Sequence, residues 1–282
     1  MAIAPEPPRW LDLLARPEVS QAMGRLVRTR APKPMLRAAI RTFARIYGAD
    51  LSEAAEPLDT FATFQDFFTR KLRAGARPIA AEPGVVPSPA DGILSAFGPL
   101  DSGTLIQAKG VEYTLDALLG GSADADAYRN GCYAVVYLAP NNYHRVHTPW
   151  QGTVTRWRYL PGALYPVNKM GLRHVHGLFA RNERIVGHCE TEFGPAAMVM
   201  VGATCVGHMR VAFTELACNE GHPGSGLRDC APLLATNRGD EFGVFEMGST
   251  VVVVMQRRDL VPCHPIPSPI KMGENLLRVV DA

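Results

Sequence analysis

Three short stretches of the chain hold residues that could carry out chemistry together. The stretch "SPADG" contains Asp91, "YHRVH" contains His144 and His147, and "EMGST" contains Gly248 followed by Ser249. A serine becomes a nucleophile when a base takes its proton, and histidine is the usual base near neutral pH. The histidine in turn needs a carboxylate to orient it. Ser249, His147 and Asp91 would meet these needs if the fold brings them together.

Each stretch also has an ordinary structural explanation. Asp-Gly is a common turn dipeptide, two histidines can simply lie on the surface, and Gly-Ser-Thr can be a turn that enters a buried strand. His144 and His147 could supply two metal ligands, but a zinc site needs a third, and neither H-E-x-x-H nor C-x-x-C occurs. We therefore predict no metal, and we expect the six widely spaced cysteines to be reduced thiols.

The peptide bond before Ser249 has an unusual feature. Gly248 has no Cβ, so the carbonyl that precedes Ser249 can be approached closely or twisted. A hydrolase nucleophile typically occupies a G-x-S-x-G turn between a strand and a helix, whereas Gly-Ser here leads into a β-branched run. A hydrolase that uses Ser249, His147 and Asp91 without cutting the chain is therefore kept only as an alternative.

The pattern of the chain changes near residue 75. Upstream, apolar residues recur at helical spacing, and Thr63 with Asp66 three residues later is a plausible helix start. Downstream, short runs such as "CYAVVYLA" (132–139) and "TVVVVM" (250–255) are separated by Gly, Pro and Asn. We predict an α+β fold with a helical N-terminal region, 1–75, and a catalytic domain, 76–282, built as a mainly antiparallel β sandwich or partly closed barrel.

The first 48 residues are strongly basic. They carry nine Lys/Arg and three Asp/Glu, a net charge of +6, so the remainder carries 2 − 6 = −4. Within "MLRAAIRTFARIY" (35–47), apolar residues occupy one helical face and arginines another. Such a helix can lie in a membrane interface, or it can pack on its own domain with a solvated arginine face. The charge suggests a polyanionic partner, either membrane phosphate or nucleic acid.

The remaining signals concern location. No run approaches the roughly 18 apolar residues that span a bilayer, and "MAIAPEPPRW" lacks the pattern of a secretory signal. We therefore expect the protein to be made and kept in the cytoplasm.

Several motifs in a fixed order resemble the bacterial phosphatidylserine decarboxylases. They are "SPADG", "YHRVH", "LFARNERIVG" (178–187), "TEFGP" with "VGAT" (191–204) and "GDEFGVFEMGSTVVVV", and the similarity runs from "FTRKLRAGARPI" (68–79) to the C-terminus. The family's usual Leu-Gly-Ser-Thr is Met247-Gly248-Ser249-Thr250 here, an exchange of similar volume beside the reacting residues.

The resemblance implies that the chain cuts itself between Gly248 and Ser249. Ser249 Oγ would attack the Gly248 carbonyl, with His147 accepting the proton and Asp91 holding His147 in the required tautomer. β-Elimination of the resulting ester would give a β subunit, 1–248, and an α subunit of 282 − 248 = 34 residues. Loss of ammonia would convert Ser249 into a covalent pyruvoyl group.

The resemblance also implies the substrate and its handling. The pyruvoyl group derived from Ser249 would form a Schiff base with the amine of phosphatidylserine and take up the charge left by CO₂, as pyridoxal phosphate does elsewhere. His144 would deliver the proton, and phosphatidylethanolamine would leave.

Location and partners follow from the lipid substrate. We expect a peripheral protein at the cytoplasmic face of the cell membrane, bound to its anionic surface, with α and β subunits that dimerise further and no nucleic acid. The alternatives are a pyruvoyl decarboxylase of a soluble amino acid and a non-enzymatic lipid- or nucleic-acid-binding module.

Overall fold

A computed structural model describes residues 7–101, 103–107, 111–204, 208–217, 226–246 and 249–280. Four helices precede residue 75 and four short ones follow it. They are α1 (Arg9–Leu14), α2 (Pro17–Arg28), α3 (Lys33–Tyr47), α4 (Phe64–Phe68), α5 (Leu115–Leu119), α6 (Ser122–Ala125), α7 (Lys169–His174) and α8 (Leu178–Arg181). Single 3₁₀ turns occur at Leu58–Thr60 and Asp126–Tyr128. None of the described helices is long and apolar enough to cross a membrane.

Strands make up most of the chain after residue 84. They are β1 (Val85–Pro87), β2 (Gly92–Pro99), β3 (Thr104–Gln107), β4 (Val111–Thr114), β5 (Cys132–Leu138), β6 (Arg145–His147), β7 (Gly152–Leu160), β8 (Arg184–Thr191), β9 (Gly194–Val201), β10 (Met209–Val211), β11 (Thr214–Ala217), β12 (Leu227–Thr236), β13 (Glu241–Phe245), β14 (Ser249–Met255), β15 (Leu260–Pro262), β16 (Ser268–Ile270) and β17 (Asn275–Val279).

The N-terminal helices form where the sequence supplies their start and stop signals. Helix α3 begins with a proline in its first turn and ends at Gly48, which has a left-handed φ of 75°. Helix α4 has the predicted capping box, in which Thr63 and Asp66 bond reciprocally. The helix predicted over 59–72 is shorter than expected, because a 3₁₀ turn and an extended Phe61 precede it.

The central element of the fold is an eight-stranded antiparallel sheet with the strand order β12-β7-β8-β9-β14-β5-β2-β16. Strand β14 lies between β9 and β5, and the side chains of 251–254 are fully buried. A run of β-branched residues is typical of a strand covered on both faces, so the prediction of a buried strand here is confirmed.

Two smaller sheets and a hairpin complete the β-rich part. A four-stranded sheet has the order β11-β10-β13-β6, a three-stranded sheet has the order β1-β17-β15, and β3 pairs with β4. The large sheet is open, with β12 and β16 as its edges. The predicted α+β class with mainly antiparallel strands is confirmed, and of the two predicted forms the open sheets fit a sandwich.

The first helix packs against this β-rich part. Leu11 and Ala15 belong to the main apolar core, and the Leu164 amide donates to the Ala15 carbonyl at 3.0 Å. Helices α3 and α4 share a second, smaller core. The domain boundary near residue 75 stays a prediction.

Candidate functional site

Strands β14 and β2 begin at the same end of the large sheet, because both run antiparallel to β5. Ser249 pairs with Leu138 at the end of β5, and the next row, Thr250–Tyr137–Ile93, crosses from β14 through β5 to β2. Asp91 immediately precedes β2, so one strand separates it from Ser249, a backbone separation of roughly 10 Å. The predicted cleavage residue Gly248 lies outside the described residues.

Steric contact with β5 explains why glycine follows Asp91 at the start of β2. A Cβ at position 92 would lie 2.3 Å from the Tyr137 carbonyl oxygen, so only glycine allows β2 to approach β5 so closely. Gly92 therefore fixes the start of β2, and with it the position of Asp91.

Asp91 is buried and held by an arginine. Arg77 donates to both carboxylate oxygens, from Nε at 2.8 Å and from Nη2 at 2.6 Å, and the Met272 amide donates to Oδ1 at 2.9 Å. Arg77 also binds both carboxylate oxygens of Glu53, at 3.0 and 2.7 Å. Burial alone would lower the pKa of Arg77, but its bonds to Asp91 and Glu53 outweigh burial and raise that pKa. Asp91 is therefore a fixed anion, oriented by Arg77.

His147 is a neutral ring with both nitrogens engaged. Its Nδ1 lies 2.8 Å from the Gly239 carbonyl oxygen, so Nδ1 carries the proton and Nε2 accepts the hydroxyl proton of Tyr143 at 2.9 Å. Burial lowers the pKa of His147, although the Gly239 bond and the Glu241 and Asp91 carboxylates oppose this shift. The ring therefore presents its basic nitrogen to Tyr143.

The predicted triad is brought together only in part. The His147 amide donates to the Pro89 carbonyl at 2.7 Å, which places His147 beside the loop that carries Asp91. The tautomer of His147, however, is set by Gly239 rather than by Asp91, whose oxygens bind Arg77 and Met272. Asp91 acts on His147 through its charge. These hydrogen bonds therefore do not form the Ser-His-Asp triad of a hydrolase.

His144 lies in a different environment. It is fully buried, its ring centroid is 4.0 Å from that of Phe68, and its carbonyl accepts the Phe245 amide at 2.9 Å. Its Nδ1 donates to the Asn142 carbonyl at 2.8 Å, and Nε2 has no hydrogen-bond partner among the described residues. Burial lowers the pKa of His144 to about 3, and the charge of Arg70 adds to the shift.

Unpaired buried polar atoms are uncommon because each one loses its bonds to water without replacement. His144 Nε2 is such an atom, and Thr250 Oγ1, next to Ser249, is another. The neutral base, with a free lone pair, packs on Phe68, and the unpaired hydroxyl belongs to the residue that follows Ser249. Groups in this state are typical of functional sites.

An apolar cavity of about 280 Å³ opens at the same place. Leu138 and Tyr137, which pair with Ser249 and Thr250, form one wall, and the aromatic side chains of α3 and α4 form another. The lining residues are Phe43, Tyr47, Phe64, Phe68, Tyr137, Leu138, Pro140, Pro166, Val167, Asn168, Ala203 and Thr204. An apolar group in this cavity would lie next to the residues that pair with the first residues of β14.

Four residues of the site were not predicted from the sequence. Arg77 and Tyr143 lie inside the motifs "FTRKLRAGARPI" and "YHRVH", and the motifs themselves were the available signal. Gly239 opens the motif "GDEFGVFEMGSTVVVV", but a contact made by its backbone carbonyl has no residue-type signal. Glu53 lies outside all the motifs, and nothing in the sequence connects it with Asp91. Among the described residues, no three His, Cys, Asp or Glu side chains form a group that could hold a metal.

Comparison with known proteins gives one consistent family. A sequence model described as phosphatidylserine decarboxylase matches residues 64–278, which include Asp91, His144, His147 and Ser249. The chain is 48% identical to the phosphatidylserine decarboxylase proenzyme of Anaeromyxobacter sp. (strain K), over 87% of this chain and 88% of that one. It is 40% identical to the proenzyme of Myxococcus xanthus (88% of each chain) and 42% identical to that of Bordetella petrii (92% of each).

We predict that His144 stays neutral throughout the physiological pH range. Because burial lowers its pKa to about 3, the ring should show no titration between about pH 5 and 8. NMR of ¹⁵N-labelled histidine in the folded protein should report a proton on Nδ1 and none on Nε2. In the urea-unfolded chain the same residue should titrate near its ordinary pKa of 6.5. A midpoint near 6.5 in the folded protein would contradict the burial argument.

Proposed function

The chain belongs to the phosphatidylserine decarboxylase family, and from that premise we propose how its residues carry out the reaction. It is a decarboxylase, made as a proenzyme, that converts phosphatidylserine to phosphatidylethanolamine and CO₂. The observation that carries the proposal is the position of Ser249. It opens the central strand of the sheet, next to an apolar cavity, in a site where His144 Nε2 is buried and unpaired.

The proenzyme matures by cutting its own chain between Gly248 and Ser249. The Ser249 hydroxyl attacks the Gly248 carbonyl, and an ester replaces the peptide bond. β-Elimination removes the α-proton of Ser249, breaks the bond between Cβ and Oγ, and releases the Gly248 carboxylate, so that a double bond forms between Cα and Cβ. Water then displaces ammonia and leaves a pyruvoyl group at position 249.

His147 is the base for this step, and Tyr143 controls access to it. The acceptor nitrogen of His147 is Nε2, which the Tyr143 hydroxyl occupies at 2.9 Å. Tyr143 must therefore pass the serine proton on or move aside. The Glu241 and Asp91 carboxylates favour the imidazolium that forms, because their negative charges oppose the lowering of the His147 pKa by burial.

The residues around position 249 fit a pyruvoyl group. Such a group offers a carbonyl oxygen that needs a donor, and the next residue, Thr250, carries a buried hydroxyl without a partner among the described residues. When present, the pyruvoyl carbonyl supplies an electron sink for the charge left by departing CO₂.

His144 can move the proton that the reaction requires. The substrate ammonium must lose a proton before its nitrogen can react, and the neutral Nε2 of His144 can accept it. Protonated in this way, His144 can return the proton to the former α-carbon.

The apolar cavity favours a lipid over a soluble amino acid. Most of its lining residues are aromatic or aliphatic, and four of them come from the N-terminal helices α3 and α4. Free serine would leave those walls without a partner. Equal turnover of free serine and phosphatidylserine would favour the alternative of a soluble substrate.

We predict a distinct outcome for each site variant. The wild-type chain should give two fragments, with the smaller one, 34 residues long, blocked at its N-terminus (282 − 248 = 34). Ser249→Ala and His147→Ala should stay whole, because they lack the nucleophile and its base. His144→Ala should cut normally but decarboxylate about 10²–10⁴-fold more slowly, the usual contribution of a general acid–base group.

Intact mass after denaturation measures the cutting, and CO₂ release from phosphatidylserine measures the turnover. Failure of His144→Ala to cut would show that the two histidines are assigned to the wrong steps. A wild-type chain that stays whole would contradict the pyruvoyl mechanism itself.

The two subunits stay together because the sheet is built from both. After the cut, β14 still lies between β9 and β5 of the larger subunit, β16 pairs with β2, and β17 pairs with β1. Four fully buried valines in β14 would have to enter water for the smaller subunit to leave.

We predict that the 34-residue fragment co-purifies with the rest of the chain (282 − 248 = 34). Size-exclusion chromatography of the cut protein should give one peak that contains both fragments, and they should separate only in denaturant. Release of the small fragment under native conditions would contradict this assembly. Further dimerisation of the heterodimer stays a prediction, which the mass of the same peak tests.

We further propose that the protein acts as a peripheral protein on the cytoplasmic face of the cell membrane. Seven of the twelve exposed large apolar side chains in the described residues lie in the N-terminal helices: Trp10, Leu13, Leu14, Leu26, Met35, Ile46 and Tyr47. The same segment carries the net charge of +6. Exposed apolar groups among basic residues suit an anionic membrane surface.

Removing two of these side chains should weaken membrane binding without removing a core residue. Trp10 and Leu13 are 48% and 54% exposed, whereas Leu11 between them is fully buried. The double variant Trp10→Ser/Leu13→Ser should bind phosphatidylglycerol-containing vesicles at least about tenfold more weakly. Leu233→Ser is the matched control, because Leu233 is 62% exposed on edge strand β12. Equal co-sedimentation of the double variant and the control would contradict the proposal.

A further inference from the structure

An ion pair joins helix α2 to the segment that is to be cut. Glu246 stands three residues before Ser249, is only 6% exposed, and accepts a hydrogen bond on Oε2 from Arg28 Nη2 at 2.7 Å. Arg28 lies in the last turn of α2, and its Nε donates to Gln65 of α4 at 2.8 Å. One guanidinium therefore ties two N-terminal helices to the chain just before the cleavage site.

Glu246 is also held from the β-rich part. Arg210 Nε lies 3.3 Å from Oε1, and the Glu246 amide donates to the His208 carbonyl at 3.1 Å. The Arg210 side chain is 57% exposed and that of Arg28 is 35% exposed, and the Arg28 contact is the shorter one. An exposed, longer ion pair contributes less, so Arg28 is the main partner of this buried carboxylate.

Self-cleavage is sensitive to position at this point of the chain. Attack of a hydroxyl on a carbonyl needs the reacting atoms about 3–3.5 Å apart, and a shift of about 1 Å can cost 10²-fold in rate. On the C-terminal side, pairing of β14 with β5 fixes Ser249. On the N-terminal side, the last residue held by described contacts before the cut is Glu246.

We propose that Arg28, acting through Glu246, is a positioning residue for self-cleavage. The inference rests on the proposed function, in which the Gly248–Ser249 bond is cut. After the cut, the reacting group remains on β14, whereas Glu246 belongs to the free end of the larger subunit. The ion pair therefore matters for maturation and ceases to hold the reacting residue during turnover.

The test follows cleavage of newly synthesised chains over time in detergent, by gel and intact mass. Arg28→Ala should slow cleavage about tenfold, the effect of losing one charge-assisted hydrogen bond. Arg25→Ala is the matched control, because Arg25 is an exposed arginine one turn earlier on the same helix, and it should cut at the wild-type rate. Decarboxylation per mole of cut chain should stay within about twofold of wild type for both variants.

A double-mutant cycle separates positioning from a general loss of structure. Glu246→Gln alone should also slow cleavage about tenfold, and the double variant Arg28→Ala/Glu246→Gln should be about tenfold slower, not a hundredfold, because both changes break one contact. Thermal unfolding of each variant in the uncleavable Ser249→Ala background checks that α2 stays folded.

Three results would overturn the inference: wild-type cleavage in Arg28→Ala, multiplicative effects in the double variant, or an equal loss of cleavage and of turnover per cut chain. A wild-type chain that never cuts would overturn the proposed function instead, so the two failures are distinguishable.

Discussion

The burial of β14 is the constraint on which the rest of the structure depends. Its valines are covered on both faces and its backbone is paired on both sides, so the strand cannot shift without exposing the centre of the sheet. The first residue of such a strand is held in place by the buried and paired residues that follow it. A bond broken immediately before that residue leaves its position unchanged, because the strand is anchored by its own core. The same burial that stabilises the fold thus allows a covalent cut without loss of the site.

The two histidines differ because their surroundings differ. Both are neutral, but His147 has hydrogen-bond partners on both nitrogens, whereas His144 keeps an unpaired Nε2 in a dry environment. Keeping His144 neutral costs folding free energy at acidic pH. In the unfolded chain the ring takes up a proton near pH 6.5, whereas in the folded chain it does so only near pH 3. The folded state therefore loses stability progressively as the pH falls below about 6.5. The unpaired Nε2 is available for the proton transfer proposed above.

The sequence predicted the elements better than it predicted their contacts. The buried strand at 250–255 followed from its β-branched run, and the capping box at Thr63 followed from Thr and Asp three apart, because both signals are local. The placement of Asp91 and Ser249 at the same end of the sheet could not be predicted, since it depends on β5 pairing with both β2 and β14. The role of Gly239 was equally out of reach, because a backbone carbonyl carries no sequence signal. Asp91 was predicted to orient His147; it is buried, and its main partner is Arg77, fourteen residues away.

Two ion-pair routes connect the N-terminal region with the site, and they end on different residues. One runs from Glu53 through Arg77 to Asp91, and the other from Arg28 to Glu246. Both end on buried carboxylates, whose charges the arginines compensate. The region before residue 75 is therefore in direct contact with residues of the candidate site. The helices that present apolar and basic side chains to solvent also line the apolar cavity and contact Glu246 before the proposed cleavage site, so one packing arrangement would serve the proposed membrane contact, substrate entry and maturation.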